Sequence, residues 1–400
     1  MAVIELRMRK LVVGVLLAVA AITAGAASPS DGTDTCAVPP AAAPAGLPWP
    51  VVLQTNCGRF TVNTDGRVAL QPGRSLPVPA GAAWSPLDGR WWKVADGHLL
   101  VGRWHETLWR SHGTFRRTGQ VGAITLGTNL LAFSYEYGSD EKLYVARLDG
   151  PERHLATREY PLAWTPTAQL LTQSENGRRL YARRTDGSGR RMLAAHASIL
   201  ATAPNGVLFF LERGRLMSTD GGRPAVLTPL AGLGLTGKPE LEALGPLVAL
   251  RDRHRLVVLH ADGSLFASAP LPRWKKRTDG VSSGVAADAS ADTVAFTATD
   301  RNTALGSTGT ETIFVVRAGD TKATPLHRER TDFKICERMA ELEWREHWLL
   351  YSASEGNVVA IDAHDPSRSV NLSAFARTLL GTQDDDSEGG LAIEASWAEG

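Results

Sequence analysis

Gly280-Val281-Ser282-Ser283-Gly284 has the G-x-S-x-G spacing of a nucleophile elbow, which presents a serine hydroxyl for acyl transfer. That chemistry needs a strand before the serine and a helix after it. The preceding PRWKKRTD is no strand-forming run, and the following VAADASADTVAF reads as strand, turn, strand. The segment is expected to be a Gly/Ser loop, and no catalytic residue is assigned. His98, His105 and His112 could ligate a metal, but odd spacings put neighbours on opposite faces of any shared strand. Asp384, Asp385, Asp386 and Glu388 lack the spacing of an EF-hand loop and are expected to be a solvated acidic loop. No metal or cofactor set is assigned. Asp and Glu are plentiful, yet no spacing selects the carboxylate pair that glycoside chemistry requires.

Two other groupings suggest recognition. Trp84, Trp91, Trp92, Trp104 and Trp109 fall within one stretch, where they could stack on a sugar or fill space inside the fold; packing is the expectation. Trp274 is flanked by Arg273, Lys275, Lys276 and Arg277, a charged loop able to meet an acidic partner.

The elements that must position these residues are strands. Asp-Gly recurs at Asp65-Gly66, Asp149-Gly150, Asp186-Gly187, Asp220-Gly221 and Asp262-Gly263, with weaker versions at His112-Gly113, Gly319-Asp320 and Asp365-Pro366. Each follows a short β-rich run such as LYVARL, LVVLHA or VVAIDAH. Asp-Gly between such runs marks a hairpin, because glycine adopts positive φ at little cost. Upstream of each marker lies a short apolar run: VVLQ, RWWKV, LLAF, LLTQ, VLFFL, LVAL, TVAF and WLLY. Runs of this length fit strands buried on both faces. The repeating unit is therefore strand a, tight turn, buried strand b, strand c, Asp-Gly turn, strand d. Only Leu372, Phe375, Ala376 and Leu379, ended by Gly381, show helical spacing.

Residues 47–72 supply strands b, c and d without a strand a, while LAIEASW (391–397) looks like a strand a with nothing after it. The simplest repair is for the C-terminal strand to complete the N-terminal blade, which removes two exposed sheet edges. The expected fold is all-β: a β-propeller of four-stranded antiparallel blades closed by the C-terminal strand. Eight blades of about 44 residues fit the period. Seven is the alternative, if the first unit packs as an irregular arm. AWSPLDGRW, LYVARLDGPERHLA followed by LAWTP, and AADASADTVAFTA resemble the degenerate repeats of TolB-like, WD-repeat-related β-propellers. The resemblance spans most of 47–397 and implies a fold that hosts both binders and enzymes.

Arg7, Arg9 and Lys10 precede an apolar stretch from Leu11 to Ile22, and Ala24-Gly25-Ala26 offers small residues for cleavage. The stretch is shorter than the roughly 18–20 residues that cross a bilayer. Residues 1–27 are expected to be a signal peptide, 28–46 a Pro/Ala-rich flexible arm and 47–400 a single propeller domain in a secreted or periplasmic protein. A net charge of +1 gives no basic excess for a nucleic-acid partner. The three cysteines match no zinc pattern. An oxidising compartment allows one disulfide, Cys36–Cys57 or, failing that, Cys57–Cys336.

Loop lengths give the functional expectation. The a–b and c–d turns leave one side of an antiparallel blade and are tight here. The long connections, 229–240, 267–284, 327–338 and 374–390 (d–a) and 300–311 (b–c), leave the other. They carry Trp274, Lys275, Lys276, Asp300, Arg301, Arg328, Arg330 and Asp384, the candidate partner-binding residues. The expected function is non-catalytic binding or scaffolding toward a protein or cell-envelope partner. The alternative is a carbohydrate hydrolase or lyase with carboxylates at the channel mouth. Mass spectrometry of the exported protein is expected to find its N-terminus near Ala26 or Ala27; an intact Met1 or Met8 terminus would contradict the signal peptide.

Overall fold

The computed structural model describes residues 42–55, 58–70, 83–85, 90–95, 98–103, 110–114, 120–126, 130–137, 140–147, 153–203, 205–252, 254–271, 284–288, 292–300, 308–332, 341–353, 357–379 and 394–398, with 54–55, 58–59, 70, 83–126, 131, 135–137, 140–141, 146–147, 299–300, 308–309, 330–332, 353 and 394 in backbone alone. These residues divide between two compact units. One takes in Val78–Leu250 and Ala261–Ser264, the other Gly25–Pro77, Arg251–His260 and Leu265–Gly400.

The strands run, in chain order, β1 (Val51–Thr55), β2 (Gly58–Val62), β3 (Val68–Leu70), β4 (Ala83–Ser85), β5 (Arg90–Ala95), β6 (His98–Arg103), β7 (Arg110–Thr114), β8 (Gln120–Leu126), β9 (Leu130–Tyr137), β10 (Asp140–Arg147) and β11 (Arg153–Thr157). They continue as β12 (Glu159–Trp164), β13 (Leu170–Ser174), β14 (Leu180–Arg183), β15 (Arg191–Ala194), β16 (Ala197–Thr202), β17 (Leu208–Glu212), β18 (Arg215–Thr219), β19 (Ala225–Pro229), β20 (Glu240–Leu244), β21 (Leu247–Arg251), β22 (Arg255–His260) and β23 (Leu265–Pro270). The last are β24 (Val285–Ala287), β25 (Thr293–Asp300), β26 (Thr308–Arg317), β27 (Thr324–Asp332), β28 (Glu341–Arg345), β29 (Trp348–Ala353), β30 (Asn357–Asp362), β31 (Val370–Asn371) and β32 (Glu394–Trp397). A single α-helix among the described residues, α1 (Ser373–Thr378), separates the last two.

These strands fall into eight groups of four. In the first unit lie the antiparallel sheets β4–β7, β8–β11, β12–β15 and β16–β19, and in the second β24–β27, β28–β31 and the sheet ordered β3-β2-β1-β32. The division between units passes through the remaining group, β20–β23.

Four of the five Asp-Gly markers work as anticipated where strand c turns into strand d; Asp149-Gly150 lies outside the described residues. Asp65, Asp186, Asp220 and Asp262 each accept, through Oδ1, the backbone N–H two residues on, so the side chain closes the turn. Gly66, Gly187, Gly221 and Gly263 all have φ between 74° and 95°. At Gly263 a Cβ would sit 2.5 Å from the Leu227 carbonyl, so close approach as well as conformation demands glycine. Two of the weaker markers differ. His112-Gly113 lies inside β7 and is no turn. At Asp365-Pro366 the aspartate caps a short 3-10 helix, Pro366–Arg368, accepting from the Ser367 N–H.

All eight apolar runs are strand b. The c strands share their burial: β14 and β30 are buried at every residue, as β21 is among the b strands. A strand buried on both faces needs a neighbour on each, and β30 shows how this is met. Val358 and Ala360 pack with Leu53, Phe60 and Val62 of the β1–β3 sheet and with Leu372, Phe375, Ala376 and Leu379 around α1. Val359 and Ile361, on the opposite face, join Ala295, Ile313 and Val315 of the β24–β27 sheet. Within the first unit, Leu171, Leu180 and Ala182 pack against Leu208, Phe210 and Met217 of the following sheet. The d strands lie at sheet edges, and the exposed apolar residues Met192, Val226 and Leu265 sit on β15, β19 and β23.

The ends join as the missing strands imply. β32 pairs antiparallel with β1, Val51 opposite Trp397 and Gln54 opposite Glu394. Residues of the expected flexible arm are tied down too: Ala43 N–H donates to Gly66 O and Gly46 N–H to Thr64 O.

Several expected long loops are corrected. Thr308–Glu311 and His327–Asp332 are strand, in β26 and β27, so Arg328 and Arg330 are ladder residues and Asp300 is the last residue of β25. Part of 229–240 is a 3-10 helix (Leu230–Gly232), part of 267–284 belongs to β23, and 374–378 lie in α1. Hydropathy misses the polar strands because they carry no apolar period, whereas their β-branched threonines and hairpin register favour pairing.

Removing residues 394–400 is expected to expose the β1 edge and delete Trp397, which is 6% exposed. The loss of that side chain alone is expected to cost about 3–5 kcal/mol. A lower melting temperature with concentration-dependent association is the expected outcome; an unchanged melt and a monodisperse product would rule out the closure.

Candidate functional site

Of the candidate partner-binding residues, Asp300, Arg328 and Arg330 lie among the described residues, and the sheet brings them together. Asp300 and Arg330 both register with Thr310, forming one row across β25, β26 and β27. Ala298, Thr312 and Arg328 form the next row on the same face, and Arg328 is exposed. Trp274, Lys275, Lys276, Arg301, Asp384, Ser282, His105, Trp104, Trp109 and the three cysteines lie outside the described residues. β24 begins directly after Gly284, so a strand stands where a nucleophile elbow needs a helix.

The opposite face of the same strands turns toward β29. Glu311 registers with Glu329, and Glu329 Oε2 lies 3.1 Å from His327 Nε2. The Tyr351 hydroxyl, from the adjoining sheet, donates to Glu311 Oε2 at 2.5 Å. Burial, then the negative charges of Glu311 and Glu329, push the Tyr351 phenol well above its ordinary 10.0, so it stays a neutral donor. Glu311 itself is 3% exposed. This is an interior polar tie between two sheets.

A second tie holds the closing strand. Glu343 of β28 accepts the Trp397 backbone N–H through Oε2, and its own carbonyl accepts the Trp397 indole N–H. Glu343 is an exposed residue of β28, and partial desolvation of its carboxyl beside Trp397 raises it above its ordinary 4.5.

A third cluster lies at the end of the β28–β31 sheet where its a–b and c–d turns emerge. Trp348 pairs with Asp362 as the last rung of β29 and β30, His347 precedes it in the a–b turn, and His364 follows in the c–d turn. The Ala363 N–H donates to the His347 carbonyl, locking the two turns together. The imidazoles of His347 and His364 stack at 4.8 Å with planes 3° apart. Beside them Asp362 is buried: Oδ1 accepts the N–H groups of His364 and Asp365, while Oδ2 lies 3.8 Å from His347 Nε2 and 3.2 Å from Arg368.

Sequence reasoning weighed His98, His105 and His112 and passed over this set. The available signal was Asp362 and His364 two residues apart at the end of a buried strand, which places them on one side of it. The missing signal was His347, which only strand pairing brings alongside.

A buried carboxylate in the first unit offers a contrast. Both oxygens of Glu159 are engaged, by a bidentate Arg183, by the Thr172 hydroxyl and by Arg190, which also covers the Tyr181 ring. With its partners complete, that network is structural.

Successive four-stranded antiparallel sheets, packed face to face through doubly buried central strands and joined first to last by a C-terminal strand, define a β-propeller. No known family model and no curated protein matches the chain. Among solved structures it is similar to the dihydro-heme d1 dehydrogenase NirN in complex with DHE, at 13% identity and a TM-score of 0.48, covering 85% of this chain and 78% of that one. It is also similar to TolB from Acinetobacter baumannii, at 16% identity and a TM-score of 0.32, covering 55% and 63%. The Neurospora crassa Pan2 WD40 domain matches at 11% identity and a TM-score of 0.35, covering 67% and 80%. Among the described residues no helix is long and apolar enough to cross a membrane.

Because partial desolvation raises Glu343, the folded chain holds this proton to higher pH than the unfolded chain. The stability that goes with the protonated carboxyl is complete below the unfolded value and is lost as pH rises through the raised folded value. Glu343→Gln keeps the acceptor for Trp397 and removes the titration. Denaturant unfolding from about pH 4 to about pH 8 should show the variant gaining on the wild type as pH rises through that window; a constant difference would contradict the assignment.

Proposed function

We propose that the chain is an exported β-propeller that binds a protein or cell-envelope partner, with its groups of four strands as blades and the side of its long connections as the docking side. One observation carries this reading. In the β24–β27 sheet, the strands run on past the apolar core as a ribbon whose rows are polar on both faces. Ala295, Phe296, Ile313 and Val315 supply the buried inner half. Beyond them come Asp300–Thr310–Arg330 and the pairs Gly309–Thr331 and Thr308–Asp332.

β25, β26 and β27 have 8, 10 and 9 residues, against 5, 6, 6 and 2 for β28 to β31. Polar rows with nothing apolar to bury add little to folding stability. Their pairing nonetheless makes a stiff platform that holds Asp300, Arg328 and Arg330 in fixed register, which suits recognition by complementary charge. The ribbon rises at the b–c end of its sheet; Trp274, Lys275, Lys276, Arg301 and Asp384 lie outside the described residues and remain further candidates for docking. The charged n-region and short apolar stretch before Ala24 support export.

The test compares capture of partners from cell-envelope extract by the immobilised chain, by Arg328→Glu/Arg330→Glu and by Lys322→Glu on the opposite, c–d side. The double substitution is expected to weaken capture about tenfold or more, with a matching loss of salt dependence, and Lys322→Glu to leave it unchanged. Full capture by a folded double variant would place the docking side elsewhere.

A further inference from the structure

We infer that His347, Asp362 and His364 form a binding site for a divalent transition-metal ion of the zinc class, with Arg368 holding the cation position when the ion is absent. The three side chains each offer one ligand atom, and all of these lie within 4.8 Å of one another. Tetrahedral coordination at about 2.0–2.1 Å from the ion requires ligand separations of about 3.4 Å. Closing the gap requires the two imidazoles to rotate out of their parallel stack, which the exposure of His364 and the partial exposure of His347 permit. The backbone beneath them is already fixed by the Trp348–Asp362 rung and the Ala363–His347 hydrogen bond.

Asp362 supplies the second, independent observation. Its side chain is 2% exposed, and a buried, ionised carboxylate is costly unless it is hydrogen-bonded and paired with a cation. Oδ1 is committed to two backbone N–H groups, which leaves Oδ2 to face both His347 and the guanidinium. That guanidinium reaches in from solvent. Arg368 is 63% exposed and lies over the Trp348 ring at 5.7 Å, so it can withdraw without unfolding anything. Glu159, by contrast, is closed by the buried Arg183.

Two imidazoles and one carboxylate suit a borderline ion such as Zn²⁺; Ca²⁺ and Mg²⁺ require a shell of oxygens. Three protein ligands at a turn leave a fourth position for water or an outside ligand.

The test titrates the full chain, stripped with a chelator, with Zn²⁺ against a chromogenic competitor at fixed pH, using Co²⁺ absorption to report coordination. One ion per chain is expected, with the visible bands of a four-coordinate nitrogen–oxygen site. His364→Ala and Asp362→Asn should each weaken binding by about tenfold or more. Arg368→Gln should tighten it, because the ion then displaces no guanidinium. His364 is exposed, so the thermal melt of His364→Ala in the absence of metal should match the wild type and separates loss of a ligand from loss of fold. Absence of a one-to-one site in the wild type overturns the inference. So does unchanged affinity in both His347→Ala and His364→Ala, or weaker binding by Arg368→Gln than by the wild type.

Discussion

Several central strands among the described residues bury both of their faces. β14, β21 and β30 are buried residue after residue, so a sheet built on them is stable only between two others. Each such strand removes on the order of 1.5–3 kcal/mol of apolar side chain from water per large residue, and both neighbours must be present to realise it. Face-to-face packing of consecutive sheets follows directly. So does the pairing of β32 with β1, which completes the sheet that covers one face of β30 with Leu53, Phe60 and Val62.

Polar groups inside this packing or at its margin tie one sheet to the next. Tyr351 and Glu311 join β29 to β26, and Glu343 grips both the backbone and, through its carbonyl, the indole of Trp397. Glu159 and Arg183 do the same work within one sheet, between β12 and β14. Such groups reward one register over its neighbours, because a slip of one residue would bury them without partners. Chemistry available to other molecules is therefore pushed to the two ends of the strands. At the b–c end of the β24–β27 sheet this takes the form of charged rows. At the a–b and c–d end of the β28–β31 sheet it is a buried aspartate beneath two stacked histidines. The two proposed sites differ in kind: one is a set of residues held in register across paired strands, the other a set of donors from three backbone positions.

Much of this was legible from residue order. Asp65, Asp186, Asp220 and Asp262 announce their turns because a short carboxylate reaching the N–H two residues on, followed by a glycine with positive φ, is a local device. The apolar runs announce the central strands because burial on both faces leaves no alternation. Leu372, Phe375, Ala376 and Leu379 announce α1 by a spacing that no strand would bury together. The unmatched first and last strands announce their own pairing. What failed was equally local in origin. TGTET, ahead of the run IFVVR, and HRERTD carry no apolar period that hydropathy detects, and His112-Gly113 has the look of a turn but falls at a register shift inside β7.

The amino-acid sequence by itself thus determined the repeating unit, its turns, its buried strands and the joining of the ends. These depend on interactions between residues close in the chain or on the apolar content of single segments. Only the tertiary structure decided which polar residues meet. Asp300 and Arg330 share a row because β25 and β27 both pair with β26. His347 stands beside Asp362 and His364 because β29 and β30 close on the Trp348–Asp362 rung. Register across strands sets those meetings, and register is fixed by packing against neighbouring sheets, which no single segment records.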